Sequence, residues 1–213
     1  MSLATTTPTT NDDVQCFKCI SMLPEKFDPA AAQVSQFMEQ FVEVTTKNRS
    51  TTLRFSWSAM MAAHKEKKDA DLTLIKFDTV TVARQKSETT AIVPSVSAFL
   101  KKTLGVTFPA DSEESLSTQL STVFNGLKTA KDESLWRITY SEDGQNEGFQ
   151  YQVLAHVPIA EKEHSFLVLI LTFFIKADVK KSGGWFWDSI SESFSVDITG
   201  AKFMARDTYK AHR

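Results

Sequence analysis

The first strong periodicity in the chain is helical and begins at Asp28. Asp28 followed by Pro29 is a favourable helix start, because an Asp side chain caps free backbone N–H groups and Pro fits the first helical position. Apolar residues then recur at the spacing of one helix face, and they are Val34, Phe37, Met38 and Phe41. The pattern predicts an amphipathic helix that ends near Thr45 and buries one apolar stripe.

Two segments after this helix have the pattern of β-strands. Thr51–Met61 alternates around three apolar residues, which are Leu53, Phe55 and Trp57. Asp71–Arg84 is rich in β-branched residues, as strands are. The polar run HKEKKDAD lies between them, so we expect two strands joined by a loop.

Two further helical patterns occupy the middle of the chain. The first ends at Gly105, a residue suited to the position after a helix C-terminus, and Pro94 either opens this helix or kinks a longer one. Its stripe comprises Val93, Val96, Phe99, Leu100 and Leu104. The second begins at Asp111 or Ser112, with Glu114 placed to complete a capping box. Its stripe comprises Leu116, Leu120, Val123, Phe124 and Leu127.

The last third of the chain is a series of strand patterns separated by turns. The predicted strands are Leu135–Tyr140, Phe149–Ala160, Phe166–Ile175 and Glu192–Ala205. Consecutive strands joined by short turns pair antiparallel. Together with the three helices they predict an α+β domain of three layers, an antiparallel β-sheet flanked on both faces by α-helices.

The strand Phe166–Ile175 differs from its neighbours because Thr172 is its only polar residue. A strand with one face in water alternates apolar and polar residues, whereas a continuous apolar run belongs to a strand buried on both faces. The run is about half the length of ~20 residues that a membrane-spanning helix requires. We therefore expect a central strand covered by helices on both sides.

Length, charge and the N-terminus fit a single domain. A chain of 213 residues can bury one large core. Its formal net charge of −2 argues against a nucleic-acid partner, which selects a basic excess. Residues 1–13 have neither the basic nor the apolar region of a Sec-type signal peptide. We expect them to form a flexible tail before one domain over residues 14–213, and we expect release by a non-classical secretion route.

Patterns for catalysis and metal binding are weak. Cys16 and Cys19 form a single C-x-x-C, which we interpret as two thiols beside a short apolar element rather than as half of a zinc or redox site. The four histidines lack metal-ligand spacing, and His156 is interpreted as a polar-face residue of its strand. No nucleophile elbow, phosphate-binding loop, zinc-protease or dinucleotide motif occurs. We therefore expect no enzyme activity, no catalytic residue, no cofactor and no metal.

An ordered set of local strings extends from Asp28 to Phe203. The strings are TLRFS at Thr52–Ser56, FLKKTLGV at Phe99–Val106, LSTVFNGLKTAKDESLWRITY at Leu120–Tyr140, FQYQVLAHV with the apolar strand after it, and SFSVDITGAKF at Ser193–Phe203. In order and spacing they resemble the early strand, the helix end, the helix–loop–strand segment and the long C-terminal strands of one toxin family. This family comprises the Cyt-type δ-endotoxins of bacteria and the fungal volvatoxin cytolysins.

The resemblance implies a pore-forming cytolytic toxin with a single three-layer domain. Such a toxin is a soluble monomer that binds lipid membranes directly, oligomerises on them and permeabilises them while its helices move away from the long C-terminal strands. The alternative is a lipid or acyl-chain binding protein with the same fold that does not lyse membranes. Leakage from vesicles distinguishes the two, because a carrier exchanges lipid without releasing contents.

Six aromatic residues are candidates for membrane contact, namely Trp185, Phe186, Trp187, Phe166, Phe173 and Phe174. The first three follow a Gly-Gly turn; they either enter the lipid headgroup region, which Trp favours, or fold back onto the core. The other three belong to the apolar strand, which reaches the ~9–11 residues that a membrane-spanning strand needs. Because neither of its faces is polar, a pore in which helices keep covering this strand, or a less ordered lesion, fits better than an open water-filled one.

Two other groups of residues are candidates for surface contacts. The basic residues near the last strands are Lys176, Lys180, Lys181, Lys202, Arg206 and Lys210. Such a group binds anionic lipid with about 1 kcal/mol per cation or binds a sulfated glycan, and it equally serves to guard an edge strand against aggregation. The stripe of the first helix covers the sheet in the monomer and becomes a lipid or subunit contact if the helix detaches.

Overall fold

The computed structural model describes most of the chain. The described residues are 17–47, 50–67, 69–85, 91–129, 137–140, 147–179 and 190–211. Eight strands occur in them: β1 (Lys18–Ser21), β2 (Val42–Lys47), β3 (Ser50–Phe55), β4 (Leu72–Gln85), β5 (Arg137–Tyr140), β6 (Glu147–Pro158), β7 (Ser165–Val179) and β8 (Ile190–Arg206). The α-helices are α1 (Asp28–Glu39), α2 (Trp57–Lys67), α3 (Ile92–Ala98) and α4 (Ala110–Thr129). A 3₁₀ turn at Glu25–Phe27 precedes α1, and a π-helical turn at Phe99–Thr103 follows α3.

The main sheet is built on the long strands. Its order is β1-β6-β7-β8-β4, with β5 paired to β6, and β2 and β3 form a separate hairpin. The pairs β6–β7 and β7–β8 are antiparallel, as the turns between consecutive strands predicted. The strands β8 and β4, which are distant in sequence, also pair antiparallel. The short strand β1 pairs parallel to β6, with Cys19 opposite Leu154. The sheet is therefore mixed, because a strand that is distant in sequence is not constrained to an antiparallel partner by a short turn.

The predicted central strand is confirmed. Every residue from Phe166 to Phe173 is buried, and so is Ile175. Side chains of β7 alternate between two cores. One core lies between the sheet and the layer formed by α3, the π-helical turn and α4, and the other lies between the sheet and α1 with α2. We call these two sheet faces the α3–α4 face and the α1–α2 face. The predicted three-layer α+β fold is thus what the structure shows.

The prediction was wrong in the segment after α1. The helix ends at Glu39 rather than near Thr45, because Val42–Lys47 pairs with Ser50–Phe55 as a hairpin. The β-branched residues of this segment favour a strand over a last helical turn.

The predicted strand over Thr51–Met61 and the predicted loop after it were also wrong. The strand β3 stops at Phe55, and the helix α2 begins at Trp57 and extends to Lys67. Met60 is fully buried in the α1–α2 core, and the backbone N–H of Met60 donates to the carbonyl oxygen of Ser56 at 3.0 Å. The apolar residues of α2 form no clear stripe in the sequence. The segment is nevertheless helical, and burial of the Met60 side chain stabilises it.

The middle helices follow the sequence closely. Pro94 lies in the first turn of α3, so it opens that helix. Gly105 has φ of 61°, the left-handed conformation expected of a residue after a helix end. The helix α4 begins at Ala110, just before the predicted start, and buries Leu116, Leu120 and Phe124.

Candidate functional site

The stripe of α1 packs against the sheet. Val34, Phe37 and Met38 are buried in the α1–α2 core, and Phe41 is half-buried beside it. The Phe37 ring lies 5.1 Å from the Phe41 ring and 6.5 Å from the Tyr209 ring, measured between centroids. In this structure the stripe is therefore a contact between helix and sheet.

Two of the aromatic candidates in β7 lie on opposite faces of the sheet. Phe166 is buried in the α1–α2 core, where its ring centroid is 5.4 Å from that of Phe27. Phe173 is buried in the α3–α4 core, 5.4 Å from the Phe124 ring. Neither reaches the surface, so lipid contact through these residues requires a helix layer to leave.

Phe174 and Lys176 lie near the end of β7 at the edge of the α1–α2 face. Phe174 is half-buried, and Lys176 is exposed with its Nζ 5.4 Å from the centroid of the Phe174 ring. Lys176 also forms an ion pair with Asp197 on β8. Its charge is thus balanced within the protein, although the side chain stays accessible.

Lys202 points to the opposite side. Its Nζ donates to the backbone carbonyl oxygen of Gly105 at 2.8 Å, which ties the end of the α3 layer to β8. Burial and the nearby charge of Lys76 lower the pKa of Lys202. Lys176 and Lys202 therefore do not share one surface, although the sequence analysis placed them in one group of basic residues.

The remaining described basic candidates lie at or after the end of β8. Arg206 is exposed, with its Nε 3.9 Å from the Oδ1 of Asp71, and Lys210 is exposed as well. Five candidates lie outside the described residues: Lys180, Lys181, Trp185, Phe186 and Trp187.

His156 corrects the sequence interpretation. It is 3% exposed and lies on the α1–α2 face, with its ring centroid 5.9 Å from that of Phe166. It is thus a core residue, because α1 covers the face that its strand pattern indicated as polar. Burial lowers its pKa to about 4, so the imidazole is neutral over most of the pH range.

A polar region on the α1–α2 face was not found from the sequence. Gln152 and Thr172 are opposite each other on β6 and β7, and both are buried. Trp57 at the start of α2 donates from Nε1 to the hydroxyl oxygen of Thr172 at 3.2 Å. Neither side-chain polar atom of Gln152 has a hydrogen-bond partner among the described residues. The alternation of polar and apolar residues in β6 indicates that Gln152 lies on one face of the strand. Only the register of β6 with β7 shows that Gln152 lies beside Thr172.

The described part of the chain contains no cluster of three His, Cys, Asp or Glu side chains arranged to hold a metal ion. None of the helices described is long and apolar enough to cross a bilayer. The molecule instead has two extended apolar sheet faces, each covered by a helix layer. Such an arrangement stores apolar surface that separation of the layers would expose.

Comparison with known proteins shows which family and which solved structures this chain resembles. The model of the Bacillus thuringiensis toxin family matches residues 3–207. A solved δ-endotoxin is similar, with a TM-score of 0.69 and 17% identity over 97% of this chain and 87% of that one. The activated Cyt2Ba monomer from Bacillus thuringiensis subsp. israelensis has a TM-score of 0.67 and 16% identity over 90% of this chain and 98% of its own. No curated protein sequence matches the chain.

The two kinds of comparison contribute differently. At 16% and 17% identity the similar structures establish the fold alone. The family model covers nearly the whole chain, and the family it describes is one of toxins. The chain therefore belongs to the Bacillus thuringiensis toxin family, the Cyt-type δ-endotoxins.

Proposed function

We propose that this protein is a cytolytic toxin that binds lipid membranes as a monomer, associates with further copies there and permeabilises the bilayer without enzymatic chemistry. One observation carries the proposal. Four adjacent strands have 12, 15, 17 and 14 residues in β6, β7, β8 and β4. Each exceeds the ~9–11 residues that a tilted strand needs to cross the hydrocarbon core.

Separation of a helix layer from the sheet is physically accessible. The two helix layers meet the sheet mainly through apolar contacts. Examples are Phe124 of α4 with Phe173, and Phe27 of the 3₁₀ turn before α1 with Phe166. Apolar contacts lose their driving force when hydrocarbon replaces water as the surroundings. Lipid therefore competes for the surfaces that hold the layers together.

Self-association follows from the strand edges. The strand β4 is the last in the sheet order, so its outer edge has no partner strand among the described residues. Backbone groups left unpaired in lipid cost several kcal/mol each. Strands that enter the bilayer therefore need a second copy of the chain at this edge.

Exposed cations favour anionic membranes. Arg206 ends β8 and Lys210 lies just after it, and both are exposed. Each gains about 1 kcal/mol near an anionic leaflet. The same charges suit sulfated glycans as an additional cell-surface partner. Release of the toxin from the producing cell by a non-classical route belongs to the same proposal.

Removal of these two cations is expected to weaken binding to anionic vesicles. The double variant Arg206→Gln/Lys210→Gln should lose about 2 kcal/mol, which is roughly 30-fold in partition constant. Binding to zwitterionic vesicles should not change. Sedimentation of protein with vesicles measures both constants. The charge-matched control is Arg54→Gln/Lys102→Gln, which removes two exposed cations on β3 and on the π-helical turn. Equal losses in the two double variants would mean that net charge alone, and not this site, attracts the protein.

Dye release from liposomes tests the function itself. Anionic and zwitterionic vesicles are loaded with a self-quenched dye, and the protein bound to them is recovered and sized. We expect release together with particles much larger than the monomer. Lipid exchange without release would identify the protein as a lipid carrier, and binding without release or exchange would contradict lysis.

A further inference from the structure

The two faces of the sheet differ in a way that bears on how lipid could contact it. On the α3–α4 face, the long strands present a largely apolar surface in their central part, in which the hydroxyl of Tyr151 is a polar group. Representative residues are Tyr151, Val153, Leu171, Phe173, Val196 and Ile198. All of them are buried under α3, the π-helical turn and α4. Removal of this layer would expose a surface suited to hydrocarbon.

Over the same stretch of strands, the α1–α2 face is mostly polar. Representative residues are Gln150, Gln152, Thr172, Asp197, Thr199 and Thr81. Hydrogen bonds link some of them across strands: the Thr81 hydroxyl donates to the Asp197 carboxylate at 2.8 Å. Phe174 is the apolar exception, and the Lys176 ammonium lies over its ring. A strand region with one apolar and one polar face has the pattern of a wall between lipid and water.

The buried amide of Gln152 makes this face unsuited to lipid. Gln152 is 5% exposed, and both of its side-chain polar atoms lack partners among the described residues. An unpaired buried polar group destabilises the state that buries it. Hydrocarbon on this face would offer the amide no hydrogen-bond partner, so lipid contact here is unfavourable.

The other half of the α1–α2 face behaves differently. There the strands carry Leu154, Phe166, Val168, Ile170, Phe203 and Ala205, all buried under α1 and α2. In this half β7 is apolar on both faces. If both helix layers left, either water or lipid would cover this face. Water does not suit its apolar half, and lipid does not suit its polar half. The face therefore avoids both unfavourable contacts if α1 and α2 stay in place.

Charges bound the apolar surface of the α3–α4 face and hold its helix layer. At one end the Arg84 Nη2 donates to the Ser95 hydroxyl of α3 at 2.7 Å. At the other end the Lys202 Nζ donates to the Gly105 carbonyl oxygen at 2.8 Å. Both tethers use a cation that a lipid phosphate would bind more strongly than a neutral oxygen does. Between their levels on β8 lie Val196 and Ile198, so phosphate binding at the ends would leave hydrocarbon against the middle.

We infer that lipid contacts the sheet face now covered by α3, the π-helical turn and α4, and that α1 and α2 remain bound to the opposite face. The inference rests on the proposed function and deepens it. The apolar run of β7 then causes no conflict, because lipid covers one of its faces and α1 the other. In this arrangement α3 and α4 leave together, because the π-helical turn that continues α3 is joined to α4 by the Lys101 ammonium and the Glu113 carboxylate, 2.6 Å apart.

Three crosslinks distinguish release of the α3–α4 layer from release of the α1–α2 layer. All are built in a Cys16→Ser/Cys19→Ser background, each with two new cysteines joined by a short bismaleimide that contains a cleavable disulfide. Arg84→Cys/Ser95→Cys ties α3 to the sheet. Lys26→Cys/Glu163→Cys ties the start of the α1 layer to the β6–β7 connection, where the Lys26 Nζ donates to the Glu163 carbonyl oxygen at 3.0 Å. Lys101→Cys/Glu113→Cys ties α3 and α4 to each other but not to the sheet.

Dye release from anionic vesicles is compared before crosslinking, after crosslinking and after cleavage. We expect the α3–sheet crosslink to slow release at least tenfold and cleavage to restore it. The other two crosslinks should change the rate less than twofold. Release by the α3–sheet protein at the uncrosslinked rate, or an equal block by the α1 crosslink, would overturn the inference. If uncrosslinked protein releases no dye, the proposed function fails as well, so the two failures are distinguishable.

Discussion

Replacement of Gly200 by valine is expected to lower the free energy of unfolding by about 3 kcal/mol. Gly200 lies on the α3–α4 face of β8, close to Phe99 of the π-helical turn. A Cβ atom there would lie 2.8 Å from the Cε1 of Phe99 and 2.9 Å from the Cδ2 of Leu171, both closer than van der Waals contact. Since Phe99 and Leu171 are buried, they cannot move without displacing further core residues.

A graded series tests this contact. Without a clash, alanine in place of glycine in a strand stabilises by roughly 0.5–1 kcal/mol. Overpacking costs about 1–3 kcal/mol, so Gly200→Ala should still destabilise, and Gly200→Val more. Urea unfolding measures both, and Ala201→Gly, on the opposite face, is the control for changes in strand propensity. A Gly200→Ala variant as stable as the parent would mean that the α3 layer does not pack this closely on the sheet.

Acidification is expected to destabilise the fold through His156. Its pKa is lowered from 6.5 to about 4 by burial, so between these pH values the unfolded chain binds a proton that the folded chain does not. The contribution of His156 is therefore complete above about pH 6.5 and is lost as the pH falls through about 4. The shift corresponds to about 3 kcal/mol, since one pKa unit is worth about 1.4 kcal/mol.

The variant His156→Gln isolates this effect. It keeps a polar side chain on the α1–α2 face but cannot titrate, so its unfolding free energy should depend less on pH between 7 and 4 than that of the parent. His64, whose pKa burial also lowers, is present in both proteins and cancels in the difference. Urea unfolding at several pH values measures the two curves. Parallel curves would show that His156 is not held neutral in the folded protein.

Much of the architecture could be predicted from local patterns. The stripe of α1 and the apolar run of β7 are direct consequences of burial on one face and on two faces, so periodicity alone identified the layers. Gly105 could be identified because only a residue that tolerates positive φ suits that position. These features depend on residues within a few positions of one another.

The errors of the sequence prediction arise where structure depends on residues that are distant in sequence. The hairpin of β2 and β3 and the helix α2 were missed because their local patterns are weak and their structure depends on contacts made elsewhere. Met60 is held by the α1–α2 core, and Trp57 by a hydrogen bond to Thr172, 115 positions later in the sequence. Single-sequence patterns contain no information on such distant partners.

The candidate contact residues also show what the sequence gives and what only the structure gives. From the sequence, Phe166 and Phe173 belong to one candidate group for membrane contact, and Lys176 and Lys202 belong to one candidate group of basic residues. The structure separates them, because strand alternation and the register of β7 with β8 place Phe166 and Lys176 on the α1–α2 face and Phe173 and Lys202 on the other.

The sequence by itself determined that this protein has long strands, one of them buried on both faces, and amphipathic helices to cover them, because side-chain burial leaves its period in the chain. Only the tertiary structure decided which helices cover which face, that β1 lies parallel to β6, and that Gln152 and His156 are enclosed by the α1 side. These features arise from packing between segments that are far apart in sequence, and no local period records that packing.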